Sequence, residues 1–271
     1  MTSNPPIALV TGASSGIGQA TANWLAKAGY RVYGTSRRGA QAMQGSISML
    51  TLDVTDDASV SALVSELIRR EGGIDLLVNN AGFGIAPAGA EESSIEQAQA
   101  LFDTNFFGVV RMTRAVVPHM RRQGHGRIIN LGSILGVVPM PYVALYVASK
   151  HALEGYSEAL DHELRTRGIR VSVIEPAFTK TQFEANTIEA DATLDEYRTV
   201  RASLAKVLSQ SMASADDPDI VAKVVVKAAS AARPKLRYTA GAAAARLSLL
   251  RTFAPAAMLD SGIRKSLQLD R

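Results

Sequence analysis

Short apolar runs alternate with segments of helical periodicity over the first two thirds of the chain. The runs predict six strands, at residues 7–10, 31–35, 47–52, 74–78, 127–131 and 170–175. Between them the pattern predicts helices at 19–28, 56–70, 95–122 and 143–167. Continuous apolar strands separated by helices are typical of a parallel sheet buried on both faces. The pattern therefore predicts a doubly wound, Rossmann-like α/β fold, with residues 1–271 forming a single domain.

The pattern changes after Pro176. Residues 177–217 show weak periodicity, and we interpret them as a mobile lid over an active site, although an ordinary surface excursion would look the same. A helix at 220–229 and a last strand at 236–239 follow. Residues 241–269 are rich in Ala, Leu and Arg, which leaves open a pocket cover, a subunit contact or a membrane-surface contact.

Composition narrows the class of protein without identifying it. The 271 residues are 47% hydrophobic and 20% charged, which excludes a disordered chain. A formal net charge of +4 is weak evidence for nucleic-acid binding, so no nucleic-acid partner is expected. The lack of cysteine excludes disulfides, thiol catalysis and thiolate metal sites, and no metal site is predicted. With no apolar run of roughly 18 residues and no visible signal peptide, we expect a soluble cytoplasmic protein without an integral membrane segment.

A glycine-rich turn follows the first predicted strand and opens the first helix. It contains Gly12, Ser14, Ser15, Gly16, Ile17 and Gly18. Glycine lets the backbone approach a pyrophosphate, and the helix N-terminus then offers free N–H groups to the anion. A phosphate loop of the ATPase type would need Lys-Ser or Lys-Thr where Gln19-Ala20 stands. A hydrolase nucleophile at Ser14 stays an alternative, since the turn also matches G-x-S-x-G, but all four histidines precede the C-terminal region.

The second predicted strand ends in a basic sequence. Ser36, Arg37 and Arg38 stand where many dinucleotide-binding proteins have an acid that bonds the adenosine ribose. Arginine pairs with a 2′-phosphate, which an acid would repel. This end therefore favours NADP(H) over NAD(H), the alternative being two arginines in a solvated turn.

Tyr146 is the only tyrosine that is followed by a lysine, Lys150, at a distance of four residues. On a helix both side chains lie on one face, and an ammonium near a phenol lowers the phenol pKa from about 10. Such a tyrosine can exchange a proton in a carbinol–carbonyl conversion. Ser133 comes just after the fifth strand, at the sheet edge where ligands bind. Taken singly, the pair could be an exposed helical pair and Ser133 a turn residue.

Together these features resemble the short-chain dehydrogenases/reductases. The motifs Thr11-Gly12-x3-Gly16-Ile17-Gly18, Asn79-Asn80-Ala81-Gly82, Asn105, Ser133, Tyr146-x3-Lys150 and Pro176 have the order and intervals of that family over residues 6–182. The resemblance implies that Tyr146 is the general acid/base and that Lys150 lowers its pKa and bonds the nicotinamide ribose. It also implies that Ser133 polarises the carbonyl and that Asn105 helps hold a proton relay.

The resemblance extends to the cofactor site. Asn80, Ala81 and Gly82 are expected to line it, Asp53 with Val54 beside it to bond the adenine, and Thr181 to hold the carboxamide. Two positions depart from the family pattern. Ala177 follows Pro176 where the family usually has glycine, and Thr179 precedes Lys180 where a branched apolar residue is usual. The nicotinamide end of the site, with Pro176, Thr179 and Thr181, is therefore expected to differ in detail.

Apolar residues follow the two motifs nearest the expected reaction centre. We predict a substrate pocket formed by Ser133, Leu135, Met140, Tyr142, Tyr146, Phe178 and Phe183, with Phe83, Val137 and Val138 as further wall candidates. The substrate is expected to be an apolar ketone, aldehyde or secondary alcohol, as in hydroxysteroid- and retinol-type members. The alternative function is a catalytically idle dinucleotide-binding sensor. Relatives pair the two long helices, so a homodimer or homotetramer is expected.

Overall fold

Seven parallel strands form the central sheet of the computed structural model, which describes residues 4–38, 47–183 and 186–269. The strands are β1 (Ile7–Val10), β2 (Arg31–Ser36), β3 (Ile47–Thr51), β4 (Leu76–Asn79), β5 (Gly126–Leu131), β6 (Ile169–Pro176) and β7 (Arg237–Ala240). Their order is β3-β2-β1-β4-β5-β6-β7. The strand order reverses between β1 and β4, and ligands bind at such a point beyond the carboxyl ends of the strands. The predicted doubly wound α/β fold is confirmed.

Helices cover both faces of this sheet. They are α1 (Gly16–Lys27), α2 (Asp57–Glu71), α3 (Ile95–Phe102), α4 (Gly108–Gln123), α5 (Ala144–Leu164), α6 (Arg198–Ala213), α7 (Pro218–Ser230), α8 (Ala242–Phe253) and α9 (Ala256–Ser266). One apolar layer includes Leu63 and Met112 from α2 and α4, and the other includes Leu25 and Val225 from α1 and α7. The strands are buried between the two layers, which explains their uninterrupted apolar runs. Within the described ranges, no helix has the length and apolar character needed to cross a membrane.

The helix predicted over 95–122 is interrupted in the structure. α3 ends at Phe102, Asp103–Phe107 forms a π-helical turn, and α4 begins at Gly108. A π turn widens the helix and is frequent at functional sites. The five residues of the turn include no proline or glycine, so the sequence pattern did not indicate the interruption.

The segment 177–217 is more regular than its sequence pattern predicts. It contains the 16-residue helix α6, which the weak periodicity of this segment did not predict. Ile188 pairs with Ile85 in a short parallel bridge, and its backbone bonds Ala86 and Gly84 at 2.8 and 3.0 Å. These bonds attach the segment to the loop after β4. The bounds of the other predicted elements differ from the observed ones by at most three residues.

A buried polar chain connects the sheet to α5. Asn79 Nδ2 donates to Asn130 Oδ1 at 2.9 Å, and Asn130 Nδ2 donates to Ser157 Oγ at 2.8 Å. Ser157 Oγ in turn donates to the Leu153 carbonyl at 2.6 Å. Because buried polar groups lose water on folding, these paired groups fix β4, β5 and α5 in one register. The carboxyl ends of the central strands and α5 are thereby held together.

Candidate active site

A cleft of about 1170 Å³ runs along the carboxyl ends of the strands. It is lined by nearly all residues that the sequence analysis assigned to a cofactor, namely Gly12, Ser14, Ser15, Gly16, Ile17, Gly18, Ser36, Arg37, Arg38, Asp53, Val54, Asn80, Ala81, Gly82, Tyr146, Pro176, Thr179 and Thr181. Lys150, which is 8% exposed, does not line it. None of the described residues that line the cleft is a histidine, so the hydrolase alternative lacks a base there.

The glycine-rich turn is held against β4 by hydrogen bonds. Asn80 Nδ2 donates to the carbonyls of Thr11 and Gly12 at 2.9 and 3.0 Å, and Thr11 Oγ1 accepts from the Asn80 and Ala81 amides. Gly12 has a φ of +65°, and a side chain on Gly18 would overlap the Gly12 carbonyl. Glycine is therefore required at both positions.

The N-terminus of α1 faces the same cleft. Its N-cap residue Ser15 makes no side-chain capping bond, and the first turn carries no acidic residue. The free N–H groups and the positive end of the helix dipole are thus available to an anion. Together with the closely packed glycines, this arrangement fits the pyrophosphate of a dinucleotide.

The adenosine end of the expected site is basic at β2 and acidic at Asp53. Arg37 and Arg38 follow β2 and are exposed. Asp53 Oδ1 accepts from the Thr55 amide at 2.9 Å and from the Thr55 hydroxyl at 2.7 Å. These bonds, and more weakly the charge of Arg37, lower the pKa of Asp53. The carboxylate is therefore fixed in orientation beside the arginines.

Asn105 lies in the π-helical turn and contacts the loop after β4. Its Nδ2 donates to the Phe83 carbonyl at 2.9 Å, and its Oδ1 accepts from the Phe83 amide at 3.1 Å. A weaker contact of 3.4 Å joins Nδ2 to Ser149 Oγ on α5. The widened turn directs this buried side chain toward the region between the two segments that carry Phe83 and Ser149.

Ser133 lies close to Tyr146, and Ser133 Oγ accepts from the Leu135 amide at 3.1 Å. Burial raises the pKa of Tyr146 to about 12, and the nearby Ser133 hydroxyl acts in the opposite direction. At neutral pH the phenol is therefore protonated.

Lys150 lies close to Tyr146 but is bonded elsewhere. Its Nζ is 5.7 Å from the centre of the Tyr146 ring and donates to the Leu131 carbonyl at 2.8 Å. Burial lowers the pKa of Lys150 to about 8, and Glu154 opposes this. Burial is the largest influence on the Tyr146 phenol and raises its pKa, and the proximity of Lys150 does not reverse that direction.

The expected substrate residues are divided between the cleft and the core. Leu135, Met140, Phe178 and Phe183 line the cleft, as does Phe83, and the Phe183 ring meets the Tyr146 ring edge-on at 5.9 Å. Tyr142 does not line the cleft. Its ring packs on Tyr197 at 6.2 Å, and its φ of +66° turns the chain there. Val137 and Val138, expected as further wall residues, are also not among the described residues that line the cleft. They pack with Ala244 of α8 in a separate apolar cluster.

One wall of the cleft was missed by the sequence analysis. It is formed by a face of α6 with Ala205, Leu208, Ser209 and Met212. The recurrence of Leu204, Leu208 and Met212 every four residues is a helical signal that could have revealed this face. Buried Glu92 accepts from the Leu194 amide at 2.7 Å and also bonds Arg201 of α6. This bond attaches α6 to the segment after β4.

The fold and the cleft define a Rossmann-like α/β protein with a glycine-rich nucleotide-binding turn. Residues 6–192 match the model of the family described as short chain dehydrogenase. The chain therefore belongs to the short-chain dehydrogenase/reductase family and is an oxidoreductase of that family.

Relatives of known name support the same conclusion. A 3-ketodihydrosphingosine reductase of Bacteroides thetaiotaomicron is 46% identical over 182 residues, which are 67% of this chain and 67% of that protein. Retinol dehydrogenase 8 of Bos taurus is 34% identical over 260 residues, covering 88% of this chain and 82% of its own. The 3-oxoacyl-[acyl-carrier-protein] reductase FabG of Escherichia coli is 40% identical over 181 residues, covering 65% and 74%. The resemblance to a family with retinol-type members is confirmed.

Solved structures extend the likeness to the whole chain. A short-chain dehydrogenase from Streptomyces avermitilis has a TM-score of 0.85 at 30% identity and covers 100% of both chains. A 3-ketoacyl-(acyl-carrier-protein) reductase from Brucella melitensis complexed with NADH has a TM-score of 0.74 at 28% identity, covering 86% and 96%. A serine dehydrogenase complexed with NADP+ has a TM-score of 0.73 at 28% identity, covering 86% and 93%. A nicotinamide cofactor is thus supported by structural neighbours.

Proposed function

We propose that this chain is an NADP(H)-dependent oxidoreductase acting on an apolar ketone, aldehyde or secondary alcohol, with Tyr146 as general acid/base. The observation that carries the proposal is that Tyr146 lines the same cleft as the glycine-rich turn, with Ser133 close to its phenol and Lys150 Nζ 5.7 Å from the centre of its ring. Family membership supports the oxidoreductase class. The cofactor preference, the substrate class and the residue roles are the proposed part.

The cofactor would lie along the cleft in one orientation. The turn from Gly12 to Gly18 would hold its pyrophosphate, and Arg37 would pair with the 2′-phosphate of its adenosine, with Arg38 beside it. Lys150 would bond the nicotinamide ribose, and Thr181, which lies against Gly16, would contact the carboxamide. When bound, the nicotinamide supplies or accepts a hydride, and the protein supplies the proton.

The residues at the reaction centre would manage that proton. Ser133 can donate a hydrogen bond to the substrate oxygen beside Tyr146, which sets the carbonyl between two hydroxyl groups. Tyr146 then donates its proton as the oxygen gains charge, because the alkoxide being formed is more basic than the phenol. The buried Lys150 ammonium stabilises the phenolate that remains. A phenol protonated at neutral pH suits the reducing direction of this reaction.

The substrate would occupy the apolar part of the cleft beyond Tyr146. Its walls would be Leu135, Met140, Phe178 and Phe183 together with the α6 face. The segment 177–217 would act as a lid, attached to the body through Ile188 and Arg201. The names of two relatives, a 3-ketodihydrosphingosine reductase and a retinol dehydrogenase, denote reactions of a ketone and an alcohol.

The experiment that tests this proposal is a panel of apolar ketones and aldehydes with both cofactors. Oxidation of NADPH is followed by absorbance, with NADH in a parallel series and each cofactor's affinity measured by calorimetry. We expect turnover of at least one long or cyclic apolar carbonyl compound with NADPH. Tight binding of NADPH without turnover of any member would instead favour the idle sensor.

We also propose that the chain forms a homodimer or homotetramer. Ile95 on α3 is 69% exposed and Phe107 in the π-helical turn is 48% exposed. Large apolar side chains at this exposure favour a contact with a second copy. Light scattering at micromolar concentration should show at least twice the chain mass, and a uniform species of 28.8 kDa would contradict the proposal.

A further inference from the structure

The tyrosine–lysine pair is part of a longer stripe on α5. Tyr146, Lys150, Glu154 and Glu158 follow one another at intervals of four residues and so lie along one face of the helix. Lys150 and Glu154 are 8% and 5% exposed, whereas Glu158 is exposed. A buried acid therefore follows the proposed catalytic pair by one helical turn, and the proposed function gives it no role.

Glu154 packs tightly against the segment that carries Ser133. A Cβ on Gly132 would lie 3.1 Å from Glu154 Oε1, and one on Gly136 would lie 3.0 Å from Glu154 Cγ. Glu154 Oε2 accepts from Arg237 Nε at 2.9 Å, but Oε1 has no hydrogen-bond partner among the described residues. The carboxyl group is thus held in place with half of its bonding capacity unused.

A second buried carboxyl group, Glu175 on β6, shares the same arginine. Glu175 is 1% exposed, and its Oε1 lies 3.7 Å from Arg237 Nε, which is beyond hydrogen-bond distance. Arg237 also donates to the exposed Glu158 at 2.8 Å. One guanidinium therefore faces three carboxyl groups. Two buried like charges beside one cation are costly, so the pair is expected to hold a proton.

The electrostatics agree with this geometry. Burial, and after it the charge of Glu154, raises the pKa of Glu175 to about 7. Burial also raises the pKa of Glu154, and Arg237 opposes that rise. The charged or titratable groups that face Glu154 are Lys150, His151 and Glu158 on α5, Glu175 on β6 and Arg237 on β7. Glu175 is therefore the member of the pair that takes up the proton near neutral pH.

We propose that Glu154 is a positioning residue that keeps the buried Lys150 charged, and that Glu175 allows it to do so by taking the proton that would otherwise neutralise Glu154. The inference rests on the proposed function, because a charged Lys150 has a consequence for chemistry only if Tyr146 exchanges a proton. Burial lowers the pKa of Lys150 to about 8 even with Glu154 opposing it, so Lys150 would lose its proton more readily without that carboxylate. A carboxylate one turn away opposes that loss.

The direct test is the titration of Lys150 in the full chain without substrate. The chain has eight lysines, so NMR of ¹³C-lysine-labelled protein, assigned with Lys150→Met, can follow this one group. Glu154→Gln should lower the titration midpoint of Lys150 by about one pH unit. The matched control is Glu158→Gln, which removes another carboxylate from the same Arg237 and should leave the midpoint nearly unchanged. Equal shifts in both variants, or none in Glu154→Gln, would overturn the proposal.

A second variant keeps the test decisive if Glu154→Gln does not fold. Glu175→Gln keeps the second member of the pair neutral at every pH, so Glu154 stays charged and the Lys150 midpoint should not fall. A fall of the midpoint in this variant would overturn the proposal as well.

Kinetics separates this inference from the proposed function. The alkaline limb of the kcat/KM profile should move to lower pH in Glu154→Gln, together with the Lys150 midpoint. If the midpoint moves as expected while no carbonyl compound is reduced by the native chain, the proposed function fails and the assignment of Glu154 to Lys150 stands. If turnover is normal and the limb does not move with the midpoint, the role of Glu154 in the reaction is refuted.

Discussion

Two regions of α5 carry buried carboxyl groups whose pKa values are shifted in opposite directions. Asp161 accepts from Arg165 Nη2 at 2.5 Å, Arg170 Nε at 2.8 Å and the Val171 amide at 2.9 Å. Burial alone would raise its pKa, but these three donors outweigh burial and lower it to about 2. Glu154 shares one arginine with two other carboxyl groups, and its Oε1 has no hydrogen-bond partner in the part of the chain that the structure describes. Asp161 and Glu154 are both buried, and the additional donors around Asp161 account for the opposite direction of its pKa shift.

The two regions also differ in their distance from the cleft. Asp161 joins α5 to the start of β6, at the edge of the sheet opposite the candidate site, where saturated bonding serves stability. Glu154 stands next to Lys150 and the Ser133 segment, where unsaturated bonding costs stability but leaves a group that responds to pH. The incompletely bonded carboxyl group of Glu154 thus lies beside the proposed reaction centre.

The largest effect on activity is expected for a substitution of Tyr146, at the end of α5 that lies at the cleft. Tyr146→Phe keeps the ring and its edge contact with Phe183 but removes the proton donor. We expect kcat/KM to fall by about 10²–10⁴-fold, with the melting temperature and NADPH affinity unchanged. The measurement is steady-state kinetics on a substrate found by the panel, with calorimetric titration of NADPH.

Two neighbouring variants serve as controls for Tyr146→Phe. Lys150→Met should reduce both turnover and NADPH affinity, whereas Ser133→Ala should reduce turnover alone. Near-normal turnover in Tyr146→Phe would mean that the proton comes from another group and would contradict the assigned role.

At the other end of α5, a substitution of Asp161 is expected to reduce stability rather than catalysis. Asp161→Asn leaves Arg165 and Arg170 without their shared carboxylate, and we expect the free energy of unfolding at pH 7 to fall by about 2–4 kcal/mol. Because the folded pKa of Asp161 is lowered to about 2, its contribution is complete above the unfolded value and is lost as pH falls below about 4. Denaturant unfolding of both proteins between pH 7 and pH 2 should therefore converge at low pH.

Activity provides the check on Asp161→Asn. The folded fraction should turn over substrate at nearly the native rate, because Asp161 bonds Arg165, Arg170 and Val171, none of which is among the described residues that line the cleft. An undiminished stability difference at pH 2 would show that the loss comes from packing rather than from charge.

The same contrast explains what the sequence could predict. Tyr146 and Lys150 are close because they are one helical turn apart, and the strands are recognisable because their apolar runs are continuous. Bonds within one element or one turn follow from spacing. The approach of Glu154, Glu175 and Arg237, which come from α5, β6 and β7, depends on tertiary packing and was therefore missed.

Local spacing gives no information where burial controls the outcome. The four-residue interval correctly placed Lys150 near Tyr146, but it could not indicate the burial that raises the pKa of the phenol. The face of α6 was missed for a related reason. Its apolar positions follow a helical period, but surrounding polar residues weakened the signal over 177–217.

The smallest effect is expected for Arg37, an exposed arginine at the cleft. Arg170 is hydrogen-bonded to Asp161, whereas Arg37 acts on Asp53 through its charge. If Arg37 pairs with the 2′-phosphate, a charge-assisted bond of about 1.5–3 kcal/mol should favour NADPH over NADH by tenfold or more. Arg37→Asp should narrow or reverse that preference by adding repulsion to the lost bond.

Calorimetry with both cofactors measures the two affinities, and Arg38→Asp in parallel shows whether the neighbouring arginine shares the phosphate. Equal affinities for NADPH and NADH in the native chain, unchanged in Arg37→Asp, would mean that the arginines belong to a solvated turn and that the adenosine end is recognised through Asp53 instead.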